Sequence, residues 1–286
     1  MKVRIAAAAL ALLSGACATT PPSATEPKLA VVAGFYPLYE IAARVGGDLV
    51  AVTNLTPPGA EPHDLEPTTR DLDALLNADL ILYLGSGFQP SLETVAKQRA
   101  GASLDLLAGE ETADPHVWLD PLRMREMIDV VRDRLSELEP DATDEFASRA
   151  TAYAGEMSAL DGEFTVALRD CDTRVIVTAH AAFGYLADRY DLRQEPIAGV
   201  SPGSEPNPKR LAELADLVRD HGVTTIFTES LVSPRVAETL AREAGVTTAT
   251  LDPVEGLSEE AVREGGTYAS VMRENLSVLT SALGCE

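Results

Sequence analysis

Positive charge is scarce in this chain: 23 Lys and Arg stand against 45 Asp and Glu in 286 residues, a net charge of −22. With no basic stripe anywhere, nucleic acid is excluded as a partner, anionic lipid is repelled, and cations are weakly favoured nearby. Cysteine is also rare, with Cys17, Cys171 and Cys285 and no Cys-x-x-Cys pair. Long apolar runs are missing as well. Ile5 to Leu13 is far too short to span a bilayer, and nothing after it approaches the required length, which predicts a soluble mature protein. Phosphate-binding glycine loops and an H-E-x-x-H motif are absent too. One G-x-S-x-G match, "GVSPG" at 199–203, would put Pro202 where a nucleophile elbow needs a backbone N–H, so a serine hydrolase is excluded.

What is present begins with a leader. "MKVRIAAAALALLSGACATT" places Lys2 and Arg4 before the apolar run and small residues after it, the pattern of a secretory signal over 1–18. Two processing readings stay open. "LLSGAC" resembles a lipobox with Ser14 in the usual Leu position, which would make Cys17 the lipidated first residue. Alternatively "ACA" at 16–18 is an A-x-A site and the product is free in the periplasm. The polar, Pro-containing stretch over 19–29 reads as a tether. In an exported chain Cys171 and Cys285 either pair as a disulfide or remain two partly buried thiols.

The rest reads as α/β. Strands are predicted at 31–36, 49–55, 80–85 and 102–106, with helices near 38–46, 68–78 and 90–99 between them. Such alternation implies parallel βαβ units. From Pro121 to about Arg169 no strand signal occurs; helices are predicted over 121–138 and 142–169. The second carries Phe146, Tyr153, Met157, Leu160, Phe164 and Leu168 on one stripe. Alternation then resumes, with strands 174–179, 223–228 and 246–251 and helices 183–190, 209–220, 234–244 and 268–283. The expected architecture is an N-terminal α/β lobe (30–140), a linking helix (141–170) and a C-terminal α/β lobe (171–286).

The four histidines are informative by position. "ADPHVWLDP" at 113–121 sets His116 between two Asp-Pro pairs beside Trp118, the only tryptophan. Proline fixes its own φ and pushes the preceding residue out of the helical region, so this is a stiff connector, with a helix starting at Pro121 and capped by Asp120. His63 follows strand 49–55, His180 ends strand 174–179, and Asp252 ends strand 246–251. In open α/β sheets ligands bind beyond the carboxyl ends of strands. Imidazole nitrogens with a carboxylate oxygen are what a tetrahedral zinc ion accepts. His221, at a helix end before Gly222, suits a partner for the helix dipole instead.

"GAEPHDLEPT", "DPHVWLDP", "TAHAAFGYLADRY", "AGVSPGSEPNP", "IFTESLVSPRVAETLAREAGV" and "LDPV" resemble, in order and spacing, the signatures of the metal-binding proteins of bacterial zinc/manganese ABC importers, the zinc-uptake, TroA-like group. The resemblance runs from about residue 30 to the C-terminus. It implies two lobes bridged by a rigid long helix, a metal site in the interlobe cleft, and the ligands His63, His116, His180 and Asp252. A third imidazole, where manganese members tend to have a carboxylate, favours Zn²⁺ over Mn²⁺. Only "AGEETADPH" stands where many zinc members carry a His-rich loop, so a secondary capture site is not expected. Glu61 is a candidate competing ligand or water partner, and Glu229 a candidate acceptor that orients a histidine ring. Trp118 and Phe183 are candidates to pack beside the site and exclude water, or to serve as ordinary core. The resemblance implies an exported, monomeric, non-enzymatic solute-binding protein that hands Zn²⁺ to a membrane ABC permease and meets the membrane only through a lipid anchor. A manganese-binding importer component, a periplasmic zinc chaperone and, remotely, a zinc hydrolase are the alternatives.

Overall fold

A computed structural model describes residues 28–286 apart from positions 100, 111 and 205. The expected signal segment, Cys17 and nearly all of the tether lie outside the described residues. Among these residues no helix is long and apolar enough to cross a membrane.

Two four-stranded, all-parallel sheets form, with the same strand order in each. The first is built from β1 (Leu29–Ala33), β2 (Val50–Asn54), β3 (Leu80–Tyr83) and β4 (Ala102–Asp105), ordered β2-β1-β3-β4. Its connecting helices are α1 (Tyr36–Gly46), α2 (Thr69–Asn77) and α3 (Pro90–Gln98). Two long helices follow, α4 (Pro121–Leu138) and α5 (Thr143–Ala167). The second sheet is built from β5 (Val175–Thr178), β6 (Arg193–Pro196), β7 (Thr225–Thr228) and β8 (Thr247–Thr250), ordered β6-β5-β7-β8. With it go α6 (Gly184–Arg189), α7 (Pro208–Asp220), α8 (Arg235–Ala244), α9 (Glu259–Arg263) and α10 (Tyr268–Leu283). The sequence reading has no strand at 193–196. "RQEP" carries no apolar run because β6 is a sheet edge with only Glu195 buried, so neither periodicity nor β-propensity marks it.

The helix starts follow local chemistry. Thr68 and Asp71 form a reciprocal capping box at α2, and Thr267 and Ser270 do the same at α10. Asp120 accepts the Leu122 N–H at the start of α4, where Pro121 needs no partner. His221 follows the last turn of α7 with its Nδ1 3.2 Å from the Leu217 carbonyl, as its place before Gly222 suggests.

One apolar core joins the lobes. It runs from Val31, Leu80 and Leu82 of the first sheet through α1, α4 and α5 to Ile176, Phe227 and Met272 of the second lobe. Smaller clusters cover the outer faces of the two sheets. On α5 the buried side chains are Phe146, Ala150, Tyr153, Ala154, Met157, Leu160 and Phe164, one stripe along a helix of 25 residues. Arg44 of α1 pairs with Glu156, while Arg189 and Arg273 of the second lobe hold Asp161 and Glu163. These ion pairs lie at the surface and contribute little individually; the apolar stripe carries most of the attachment.

Two further ties cross between elements distant in sequence. Glu40 of α1 is 6% exposed and accepts hydrogen bonds from the Tyr36 hydroxyl, the Tyr153 hydroxyl at 3.2 Å and the Tyr268 N–H at 2.8 Å. A carboxylate of the first lobe thus sits at the N-terminus of the last helix, where the helix dipole favours negative charge. Burial and the Glu40 charge push Tyr36 and Tyr153 up, which keeps both hydroxyls as donors. The second tie is a disulfide between Cys171, after α5, and Cys285, after α10, across 114 residues of sequence.

Replacing Glu40 with alanine leaves two buried phenols and a helix end without their acceptor, and is expected to cost about 3 kcal/mol in urea unfolding. Reducing the disulfide is expected to cost about 2–4 kcal/mol, because a long loop regains its freedom in the unfolded chain. An unchanged urea midpoint in either experiment would contradict the assignment.

Candidate metal centre

Each lobe presents side chains from loops beyond the carboxyl ends of its strands, and these loops meet in the cleft. His63 lies in a single 3-10 turn, Pro62–Asp64, in the loop after β2. Its backbone N–H donates to Glu61 Oε1 at 3.0 Å. The turn is held from beneath by Gln89, fully buried at the start of α3, whose amide nitrogen reaches the carbonyls of Gly34 at 3.1 Å and Pro62 at 3.2 Å. A Cβ at Gly34 would lie 2.3 Å from Gln89 Oε1, so this close approach needs glycine. Phe88 lies edge-on to the His63 ring, with centroids 4.5 Å apart.

His116 follows β4 and is fully buried. Asp114 Oδ1 accepts both its backbone N–H at 3.0 Å and its ring Nδ1 at 2.7 Å. One carboxylate thus fixes the turn and the ring together. His180, also fully buried, leaves β5 next to β7, at the point where strand order reverses. Glu229, at the end of β7, accepts the His180 N–H at 3.0 Å and its Nδ1 at 2.6 Å. With Nδ1 of both rings occupied as donor, Nε2 is the nitrogen that faces the cleft, and in the neutral ring it carries the lone pair.

The acid that completes the group is Glu255. Its carboxylate is 1% exposed, and Oε1 stands 3.5 Å from His63 Nε2, 3.2 Å from His116 Nε2 and 3.4 Å from His180 Nε2. Donor atoms of the four residues lie within 4.8 Å of one another. Both Glu255 oxygens and His63 Nε2 are buried without a well-directed hydrogen bond, so the groups converge on a point rather than pair off. Three imidazole nitrogens and a carboxylate oxygen around one point form a donor set that fits a four-coordinate, borderline-soft divalent ion.

The electrostatics match that convergence. Burial opposes charge on His180, but the hydrogen bond to Glu229 and the nearby Glu255 carboxylate outweigh it and push the imidazole up to about 10. His116 is raised in the same way, against burial, by Asp114 and Glu255. Burial would raise Glu255, yet the surrounding imidazoles hold it well below the usual carboxylate range. Glu61 is pushed up to about 8 by burial and then by the charge of Glu255.

Of the expected residues the structure gathers His63, His116 and His180, together with Glu255, and places Asp252 outside that group. Its Oδ2 accepts the Ser230 hydroxyl at 2.6 Å and its Oδ1 the Val254 N–H at 2.7 Å, so both oxygens are engaged in shaping the turn. Glu255, three residues on, takes the place expected for Asp252. The signal was present in the other Asp-Pro pairs: Asp114, Asp120 and Asp252 each accept the N–H two residues ahead, so an Asp-Pro aspartate builds the turn and the group behind it is presented. Sequence reasoning also missed Asp114 as the partner of the His116 ring, and Phe88 and Gln89 as supports. Trp118 stands against His116, with centroids 5.1 Å apart, and its Nε1 donates across the cleft to the Pro253 carbonyl at 2.8 Å. Phe183 belongs to the main core.

Comparison with known proteins follows the same lines. The family model described as "Zinc-uptake complex component A periplasmic" matches residues 31–282. The zinc-binding lipoprotein AdcA of Streptococcus pneumoniae serotype 4 is 37% identical over 278 residues, covering 89% of this chain, which spans only 56% of that relative. The high-affinity zinc uptake system protein ZnuA of Bacillus subtilis is 34% identical over 304 residues, covering 96% of this chain and 95% of the relative. Among solved structures, the Zn(II)-bound ZnuA-like domain of S. pneumoniae AdcA is similar with a TM-score of 0.78 and 36% identity, over 90% of this chain and 99% of that one. The AdcAII protein of S. pneumoniae gives a TM-score of 0.82 at 32% identity, over 91% and 100% of the two chains. The fold is therefore shared over most of the chain, and the chain belongs to the ZnuA family of zinc-uptake complex components.

Proposed function

We propose that this protein is the extracytoplasmic solute-binding component of a zinc ABC importer, exported and acting as a monomer, which captures Zn²⁺ in the cleft and presents it to a membrane permease. The observation that carries the reading is the convergence of three imidazole Nε2 atoms and the Glu255 carboxylate within 4.8 Å. His63, His116, His180 and Glu255 are assigned as ligands, with Asp114 and Glu229 as the acceptors that orient two of the rings. Three imidazoles favour Zn²⁺ over Mn²⁺, which suits oxygen donors. Four protein donors fill a tetrahedron and leave no position for the activated water of a zinc hydrolase, so the site is read as a carrier. Lipoprotein relatives such as the pneumococcal AdcA support an anchor on the outer face of the membrane, with Cys17 as its attachment point.

Titration of chelator-stripped protein with Zn²⁺, alone and in competition with Mn²⁺, tests this. Tight one-to-one Zn²⁺ binding is expected, lost in His180→Ala and little displaced by excess Mn²⁺. Glu255→Gln should weaken it far more than Asp252→Asn, since an amide at 252 still accepts the Val254 N–H. Glu229→Gln, which removes only the ring's acceptor, should cost roughly tenfold to a hundredfold in affinity. Equal effects at 252 and 255, or binding indifferent to His180, would overturn the ligand set.

Protonation gives an independent check. Neutral imidazole is the ligand form, and His180 holds its proton up to about pH 10 in the metal-free protein. Affinity should therefore rise with pH from 6 through 9, and binding at pH 7 should release protons, read by calorimetry in buffers of different ionisation enthalpy. The same shift has an opposite sign for the metal-free fold: the raised His180 contributes stability that is full below about pH 6.5 and is lost as pH rises through about 10. Zn²⁺ binding without proton release would contradict the burial and pairing of these rings.

A further inference from the structure

Along the seam between the lobes lies a cavity of about 460 Å³ that contains none of the four candidate zinc ligands. Its first-lobe wall is Tyr36, Tyr39 and Arg44 of α1 with Asn54 at the end of β2, and Gly256 and Val262 stand on the second-lobe side. The seam is closed next to it by the Gly59 N–H, which donates to the Leu257 carbonyl at 3.0 Å from one lobe to the other. Arg44 and Val262 are exposed and mark the side open to solvent. A concave space of roughly 300–1,000 Å³ with mostly apolar walls and a few polar groups has the form of a small-molecule site.

The chemistry of the walls narrows the occupant. The rings of Tyr36 and Tyr39 lie with centroids 6.5 Å apart and 31° between their planes, a surface suited to a flat ring. The charged groups of the wall are already matched. Glu40 takes the three donors described above, and Arg44 bonds Glu156 Oε2 at 2.7 Å while its guanidinium lies over the Tyr153 ring at 4.4 Å. A charged ligand would give up its water and meet no free counter-ion, so an uncharged one is favoured. What the wall leaves unmatched is an acceptor: Asn54 Oδ1 is buried with no hydrogen-bond partner. Such an oxygen is costly to leave unpaired, and a donor on the ligand would satisfy it. The Tyr36 hydroxyl gives its proton to Glu40 and keeps its oxygen as a second acceptor.

We propose that this seam cavity is a second binding site, for an uncharged, flat aromatic molecule whose N–H or O–H donates to Asn54 and whose ring packs against Tyr36 and Tyr39. Seated there, the ligand touches α1 and β2 of the first lobe and the segment around Gly256 and Val262 of the second at once. The protein then carries an organic solute at the seam as well as a metal in the cleft, and binding the first requires none of the zinc ligands.

Indole serves as the probe, titrated into ¹⁵N-labelled protein and followed by NMR at the Asn54 side-chain amide and the Gly256 and Gly266 backbone amides. Saturable shifts of these signals are expected, with a Kd on the order of 0.1–1 mM. 1-Methylindole, the same ring system without the N–H, is expected to bind about fivefold to tenfold more weakly, and this difference should vanish in Asn54→Leu. Val262→Trp, on the exposed rim, fills the cavity and is expected to abolish indole binding while leaving the urea midpoint unchanged. Absence of saturable shifts, or indole binding that survives Val262→Trp, overturns the site. Equal affinities of the two probes in the wild type overturn the hydrogen bond to Asn54 and with it the ligand class. His180→Ala, which removes a zinc ligand, is expected to leave indole binding intact, so failure of the zinc reading and failure of the seam site are told apart.

Discussion

The cleft depends on the rotation of its imidazole rings. A histidine offers two nitrogens, and a metal site works only if the same one faces inward each time. Asp114 and Glu229 settle this for His116 and His180 by accepting both the backbone N–H and the ring Nδ1 of the same residue. A single carboxylate thus fixes main-chain position and ring orientation at once. His63 is fixed differently, by Glu61 on its backbone N–H and by Gln89 under its turn, with Phe88 against the ring. Its orientation comes from packing rather than from a buried charge.

That precision needs a frame that does not flex between the lobes. The core is continuous across them, α5 packs along both, and Glu40 and the disulfide tie the last helix back to earlier elements. A closed apolar core resists a wide hinge opening, because separating the lobes would expose its shared face to water. Of the four candidate ligand segments, two are backed by carboxylates, Glu229 buried and Asp114 half-buried, and one by the buried amide of Gln89. The Glu255 segment alone combines backbone strain with hydrogen bonds to the opposite lobe on both sides.

How far the sequence disclosed this follows from what each signal encodes. Buried central strands such as "LILY" and "VIVT", the stripe on α5 and the capped helix starts are recorded in apolar periodicity and in Thr, Asp and Pro at fixed offsets, and they were legible. The edge strand "RQEP" was not, because it owes its pairing to a neighbour rather than to its own residues. The histidines were legible because they are few and each follows a strand. Glu255 was not legible for a specific reason: Asp252 ends the strand and stands in an Asp-Pro pair, and a strand-end carboxylate looks like a ligand. Its two oxygens are used by Ser230 and Val254, while Glu255 lies where only a left-handed Val254 can turn it inward. A positive φ at a β-branched residue leaves no mark in sequence, since side-chain statistics argue against it.

The same residues account for how a buried, strongly acidic site tolerates being empty and full. Burial disfavours the charge of Glu255, and the imidazoles of His116 and His180, both raised by their carboxylate neighbours, offset it. A divalent cation requires those rings neutral, so protons leave as positive charge arrives. The exchange limits the change in net charge of the buried cluster between its empty and full states. Such an exchange makes the proton a direct competitor of the metal. The negative surface of the chain then acts at a different stage, raising the local concentration of cations before they reach the cleft. Affinity is set inside by the imidazoles, their acceptors and the Glu255 carboxylate, and the encounter is set outside by net charge.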